Sequence, residues 1–255
     1  MSFRKELVYT IMIFVLWEIS SFSDNSFHIY MYGLGLVLVL VWCITTLSKY
    51  STRKISQYSE TMIKMQIKQR WISYIFIPSI FFSSVSLYLF FVSNDFYKQF
   101  IILIGVICLF ILFTNIKSSY LKQYSIEKNT RVIFDLINIV FIFCIVSGMQ
   151  YSGLFTYQTI SLITGLAVLL LLISALSISQ QYTTTGLFIA LIFAFIVGLV
   201  AYFARVLNFF VYPFAIVLVF YMLLSFWHIR LSGERHFSGY LPPILFALMA
   251  IVIIL

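Results

Sequence analysis

The stretch GLFIALIFAFIVGLVAYFA, residues 186–204, contains no charged side chain and decides the fold class of this protein. As an α-helix, its 19 residues extend about 28 Å, because each residue adds about 1.5 Å. This length crosses the hydrocarbon core of a bilayer. A backbone in hydrocarbon must form its hydrogen bonds internally, which a helix does within a single segment. Residues 186–204 are therefore predicted to form a transmembrane helix.

Similar apolar runs follow one another along most of the chain. The composition is 62% hydrophobic and only 9% charged, whereas a soluble domain has about 25% charged residues. The alternating segments of about 10 residues that are typical of a transmembrane β-barrel do not occur. We predict an all-α, polytopic transmembrane helix bundle that forms one integral membrane domain over residues 1–255. The eight firm spans are predicted near 7–22, 27–47, 71–93, 99–116, 132–150, 159–178, 186–204 and 207–229, and a short ninth candidate lies at 241–255.

Lysine and arginine are distributed unequally between the two sides of these helices. If the N-terminus is cytoplasmic, 14 of the 16 basic residues lie on the cytoplasmic side, and only Lys98 and Arg205 lie outside. The positive-inside rule therefore predicts a cytoplasmic N-terminus. The same bias accounts for the net charge of +8 without a nucleic-acid partner. Tryptophans near the predicted span ends indicate interfacial aromatic belts. They are Trp42, Trp71 and Trp227 on the inner side and Trp17 on the outer side.

Small residues recur about every four positions in the seventh predicted span. They are Gly186, Ala190, Ala194, Gly198 and Ala201. Small residues at this spacing allow a second helix to approach closely in lipid. This stripe is either a subunit interface or sliding surface, or an internal contact within the bundle. A shorter stripe in the third span, formed by Ser79, Ser83 and Ser86, is a candidate partner for it.

The longest inner loop contains a possible partner-docking segment at residues 58–70. Drawn as a helix, the segment has one apolar side and one charged side. The apolar side carries Tyr58, Met62 and Met65, and the other side carries Glu60, Lys64 and Lys68. Such a helix either lies in the headgroup layer or docks onto a cytosolic protein, for example the ATPase of a transport complex. The alternative is that it is only a basic extension of the third span.

Ionisable residues near or within the spans are the default place to look for function, because a charge in lipid is costly. Glu18 lies toward the outer end of the first span, where it can pair with Arg205 or reach water. Asp135 lies one turn inside the fifth span, and Asn138 follows one turn later. These residues are interpreted either as interfacial anchors or as parts of a translocation or proton site.

The sequence offers no group of residues for catalysis, for a cofactor or for a metal. His28, His228 and His236 fall at different predicted depths, and the three cysteines lack metal-ligand or redox spacing. Cys43, Cys108 and Cys144 are therefore expected to be small buried apolar residues. Nucleotide-binding and protease motifs such as a Walker A lysine, HExxH or GxSxG are absent from the sequence. We predict no catalytic residue, no cofactor and no metal site.

The predicted function follows from this bundle and its lack of chemistry. Only Pro78 and Pro213 lie within firm spans, whereas many secondary transporters build their substrate sites from broken helices. We therefore expect the membrane-embedded, permease-like subunit of a transport or export system, with membrane or cytosolic partners. A non-transporting sensor or an assembly subunit is the alternative, and an intramembrane lipid-modifying enzyme is the weakest hypothesis. The expected location is a bacterial cytoplasmic membrane.

Overall fold

A computed structural model describes residues 3–22, 25–51, 57–121, 127–179 and 184–232, and side chains for most of the span interiors. The described residues are helical apart from short connections, and they include no strand. The helices are α1 (Phe3–Phe22), α2 (Asn25–Ser51), α3 (Gln57–Phe91), α4 (Asp95–Leu121), α5 (Glu127–Ser152), α6 (Tyr157–Ser179), α7 (Thr184–Phe203) and α8 (Val211–Ser232), with a 3₁₀ turn at Ala204–Val206.

The prediction of an all-helical chain is confirmed for these residues. Each described helix overlaps one predicted span; seven of the eight begin before it, and five end after it. The helices extend beyond the apolar segments because helical backbone hydrogen bonding continues through the polar residues next to them. The largest difference is at α3, which begins at Gln57 and includes residues 58–70 as one continuous helix with the third span. The candidate ninth span at 241–255 lies outside the described residues.

The helices have the length and composition of membrane-crossing segments. Within the described ranges, five are long and apolar enough to cross a bilayer, and two shorter apolar helices occur at Tyr157–Ile173 and Val211–Trp227. The five segments are Phe27–Thr46, Tyr74–Phe91, Asp95–Lys117, Asp135–Ser152 and Thr184–Val206. These segments indicate an integral membrane protein surrounded by a lipid bilayer.

The chain divides into two compact units. Unit 1 comprises Met1–Ser152 and Ser174–Tyr182, and unit 2 comprises Gly153–Ile173 and Thr183–Leu255. In unit 1, α3 packs against α1, α2, α4 and α5, and α1 also packs against α2 and α4. Because α1–α5 alternate in direction, unit 1 has two ends. We call them the Glu6 end, where α1 begins, and the His28 end, where α2 begins.

Local side-chain and backbone features set the helix ends. Asn94 Oδ1 accepts hydrogen bonds from the backbone N–H groups of Phe96 (3.0 Å) and Tyr97 (3.4 Å), and so caps the start of α4. Gly153, with a φ of 62°, ends α5 in the left-handed conformation that glycine adopts without strain. Pro213 lies in the first turn of α8, where a missing N–H removes no hydrogen bond of the helix.

The tryptophans fill the interiors of the units. Trp17 stacks on Phe82 with ring centroids 5.4 Å apart, and Trp42 stacks on Phe113 at 4.0 Å. Both rings and that of Trp227 are 2% exposed. These three rings therefore pack against neighbouring helices rather than lipid, and their predicted depth in an aromatic belt stays a prediction; the side chain of Trp71 lies outside the described part. A large ring buries more surface against neighbouring helices than at a headgroup layer.

Candidate functional site

The candidate functional site is a set of buried polar side chains on α5, the helix that corresponds to the fifth predicted span. Asn138, Ser147 and Gln150 are all buried within the candidate span Asp135–Ser152. In the described part of the chain, Asn138 Oδ1, Ser147 Oγ and Gln150 Oε1 have no hydrogen-bond partner. A buried polar atom without a partner costs about 1–3 kcal/mol. The α5 helix therefore retains polar groups that destabilise the apo structure.

These α5 groups lie at two levels and on different faces of the helix. From Asn138 to Gln150 the helix rises about 18 Å, since each residue adds about 1.5 Å. With 3.6 residues per turn, Ser147 and Gln150 lie about 60° apart around the axis, whereas Asn138 and Ser147 lie on opposite sides. Asp135, the second predicted residue, is half-buried one turn before Asn138. The structure thus places two polar pairs on α5, one with Asn138 and one with Ser147, which we call the inner pair and the outer pair after the predicted orientation.

Glu18, the third predicted polar residue, lies at the His28 end. Its Oε2 atom accepts a hydrogen bond of 2.9 Å from Nε2 of Gln99 on α4. Arg205, its predicted partner, is exposed and lies over the ring of Tyr202 at 4.5 Å, and it donates to the hydroxyl of that tyrosine. Glu18 therefore bonds to Gln99, and Arg205 contacts Tyr202. Glu18 lies near the end of α1, and its role as an anchor or as part of a translocation site stays a prediction.

The small-residue stripe of α7 packs against α6 within unit 2. Ser161 Oγ donates a hydrogen bond of 2.6 Å to the carbonyl oxygen of Gly198. A Cβ atom at Gly165 would lie 3.2 Å from the carbonyl oxygen of Ala194. These contacts bring the two backbones together, as small residues allow in lipid. They agree with the interpretation of the stripe as an internal contact, in which Gly186, Ala190 and Ala201 are also buried.

The serine stripe of α3 has other neighbours. Ser86 Oγ accepts a hydrogen bond of 3.0 Å from Nε1 of Trp17, and the hydroxyl groups of Ser83 and Tyr32 are 3.1 Å apart. Ser79 Oγ donates to the carbonyl oxygen of Ile75 in its own helix. The α3 stripe thus contacts α1 and α2, whereas the described neighbours of the α7 stripe are α6 and α8, whose Tyr212 hydroxyl donates to the carbonyl oxygen of Ala201. The pairing of the two stripes stays a prediction.

The possible docking segment is described only as backbone. Residues 58–70 form the first part of α3, and the side chains of Tyr58, Met62, Lys64, Met65 and Lys68 lie outside the described part. The backbone of this segment is helical and continuous with the third span. Docking to a partner stays a prediction.

His28 belongs to a hydrogen-bond network that the sequence did not reveal. Its Nε2 atom lies 3.1 Å from the carbonyl oxygen of Ser86, which only accepts, so this nitrogen carries a proton. Its Nδ1 atom lies in contact with the Ser20 hydroxyl, which donates to it when the ring is neutral. Ser20, His28 and Ser86 come from three helices. No local sequence pattern predicts such a contact, because only tertiary packing brings these residues together.

An ion pair at the Glu6 end was also missed. Lys117 Nζ lies 2.7 Å from Glu6 Oε1, and the glutamate is only 3% exposed. The pair borders a cavity of about 170 Å³ between α1, α2 and α4. From the sequence, Lys117 counted only as one of many basic residues near the inner surface, and Glu6 as an N-terminal residue. The pair could be predicted only with the knowledge that α1 packs against α4.

The remaining reactive side chains do not assemble into a chemical site. The described residues include no group of three His, Cys, Asp or Glu side chains that could hold a metal ion. Cys43, Cys108 and Cys144 are buried free thiols, as expected from the sequence. No protein-family model, no curated protein and no solved structure matches the chain.

Proposed function

We propose that this chain is the membrane-embedded, permease-like subunit of a transport or export system. In this proposal it crosses a bacterial cytoplasmic membrane eight times with a cytoplasmic N-terminus, and it works with membrane or cytosolic partners. The observation that supports transport is the set of unpartnered polar atoms on α5. Asn138 Oδ1, Ser147 Oγ and Gln150 Oε1 are buried in a helix that is long and apolar enough to cross the bilayer.

Polar groups of this kind favour transport over a purely structural role. A scaffold helix would be more stable with apolar side chains at these positions, because each unpaired buried atom costs about 1–3 kcal/mol. Water or a polar solute that moves along α5 would supply the missing hydrogen bonds. Polar residues inside a membrane are typically found where a substrate or ion passes. The destabilisation of the folded chain by these polar groups is then a consequence of the transport function.

The arrangement of the α5 groups also favours a particular mode of transport. The inner group at Asn138 and the outer group at Ser147 face opposite sides of the helix, as the helical period requires. A straight polar channel would need both groups on one side. Two polar sites on opposite faces of the helix instead favour a unit 1 that opens first toward one side of the membrane and then toward the other. We therefore propose a gated pathway along α5 rather than an open pore.

Cysteine labelling tests whether water reaches this pathway. In a background with Cys43, Cys108 and Cys144 replaced by alanine, we expect Ser147→Cys to react with a small cationic methanethiosulfonate reagent in native membranes. The reagent needs water to reach the thiol, and the outer polar pair supplies a hydrated route. Ile142→Cys is the matched control, because this side chain is fully buried on the same helix and lies about 140° around the axis from Ser147. It should stay unmodified under the same conditions.

The opposite result would favour the alternative function. If Ser147→Cys is as protected as Ile142→Cys in membranes that contain the folded protein, no hydrated route along α5 exists at that level. The chain would then be better described as a sensor or assembly subunit. Copurification from gently solubilised membranes distinguishes these roles further, because a transport ATPase and a sensor kinase are different partners.

A further inference from the structure

The cavity at the Glu6 end presents both a carboxylate and ammonium groups. About 170 Å³ in volume, it is lined by residues of α1, α2 and α4. The lining residues are Lys5, Glu6, Tyr9, Trp42, Thr45, Thr46 and Lys117. One carboxylate oxygen, Glu6 Oε1, is paired with Lys117, whereas Glu6 Oε2 has no hydrogen-bond partner among the described residues. The cavity therefore offers a buried acceptor that a ligand with N–H groups would satisfy.

A second acceptor comes from Thr45. Its hydroxyl hydrogen is directed to the carbonyl oxygen of Val41 (2.7 Å) or of Trp42 (3.1 Å). The Thr45 Oγ1 lone pairs therefore remain for a donor in the cavity. Lys5 supplies a positively charged donor, because its ammonium group is exposed beside the same cavity. A ligand that matches these groups carries a cationic donor and an anionic acceptor a few bonds apart.

The position of the cavity indicates a lipid as the source of such a ligand. The candidate membrane-crossing segments Phe27–Thr46 and Asp95–Lys117 both end beside it, so it lies at the level of the headgroups. Large apolar side chains on the adjoining surfaces of α1 and α2 are exposed, and acyl chains can lie against them. These side chains include Val8, Val41 and Ile44.

We propose that this cavity binds the headgroup of a phospholipid with a primary ammonium group, of the phosphatidylethanolamine type. The ammonium donates to Glu6 Oε2 and Thr45 Oγ1, and the phosphate accepts from Lys5. Binding requires the Glu6 side chain to turn toward the cavity, since it is almost completely covered in the unliganded structure. A choline headgroup has no N–H to donate, and a glycerol headgroup has no positive charge.

Competition between two lipids tests the proposal. The delipidated protein in detergent is incubated with equal amounts of phosphatidylethanolamine and phosphatidylcholine that have the same acyl chains, and bound lipid is counted by native mass spectrometry. We expect about a tenfold excess of the ethanolamine lipid, since one hydrogen bond to a charged group is strong enough to change the affinity by about this factor or more. Equal retention of the two lipids by the native protein would overturn the proposal.

Matched variants locate the binding site. Glu6→Gln removes the negative charge and should reduce the preference to less than about threefold. Because this variant also removes the ion pair between Glu6 and Lys117, two exposed positions serve as independent tests. Thr45→Val should lower the preference, and Lys5→Met should lower the retention of both lipids alike. Glu18→Gln, at the opposite end of α1, is the control and should keep the preference of the native chain. An unchanged preference in Thr45→Val together with unchanged retention of both lipids in Lys5→Met would overturn the assignment to this cavity.

Soluble phosphoethanolamine distinguishes a lipid from a free headgroup. If the lipid is the ligand, free phosphoethanolamine displaces it only when present in large excess, because the acyl chains add contacts on α1 and α2. Displacement at equal concentration would overturn the lipid assignment. Neither outcome depends on the transport pathway along α5, so this proposal and the proposed function are tested separately.

Discussion

Lys117→Met is expected to lower the free energy of unfolding by about 3–5 kcal/mol, the typical cost of leaving one member of a buried ion pair alone. The substitution keeps the length of the side chain but removes the ammonium that lies 2.7 Å from Glu6 Oε1. Glu6 is 3% exposed, so the carboxylate must leave its buried position before water can replace the lost partner. The carboxylate must then be protonated, or its part of α1 must separate from α4.

Thermal unfolding of the purified protein in detergent measures this effect. The double variant Glu6→Gln with Lys117→Met should recover most of the lost stability, because it removes the unpaired charge. Lys98→Met is the matched control, since this equally covered lysine pairs at 3.8 Å with Asp95, which is exposed, and donates a hydrogen bond of 3.2 Å to the carbonyl oxygen of Ser21. Such a pair contributes about 1 kcal/mol or less. An unfolding temperature for Lys117→Met equal to that of Lys98→Met would contradict the buried pair.

Ala194→Phe is expected to disrupt unit 2 by overpacking the contact between α6 and α7. Ala194 is buried, and its carbonyl oxygen faces Gly165 at the point of closest approach. A ring in this position must displace the α6 backbone, which cannot move aside as a flexible side chain can. Overpacking of a tight core costs about 1–3 kcal/mol, and a contact between two backbones belongs at the upper end of this range.

The yield of monodisperse protein and its unfolding temperature measure the effect of this substitution. Leu199→Phe is the control, because Leu199 lies on the same helix but is exposed toward the lipid. It should leave both quantities close to those of the native chain. Equal tolerance of the two substitutions would mean that the stripe faces lipid and that α6 does not pack against it.

The fold was largely predictable from the sequence because the bilayer imposes one simple requirement on each span. Apolar length alone located the eight helices of the described ranges, since a backbone in lipid has no alternative to helical hydrogen bonding. The beginning of α3 at Gln57 was not predicted as part of the third span. The reason is that residues 58–70 are polar enough to read as a loop, although they are compatible with a helix.

The candidate sites were less predictable because they depend on tertiary contacts. Asn138 was recognised from its position in an apolar run, and its burial agrees with that reading. The bond between His28 and Ser86 joins residues far apart in the chain. The stacking of Trp17 on Phe82 also required knowledge of which helices are neighbours. A periodic pattern shows which face of a helix packs, but it does not show which helix packs against it.

The central claim is that these helices cross a membrane with the basic segment at residues 48–70 on the cytoplasmic side. A single cysteine at Lys64→Cys, in the background without native cysteines, tests it with an impermeant maleimide applied to cells and to inside-out membrane vesicles. We predict labelling in the vesicles and protection in intact cells. Labelling of Lys64→Cys from outside intact cells would contradict this orientation and, with it, the proposed arrangement of the spans.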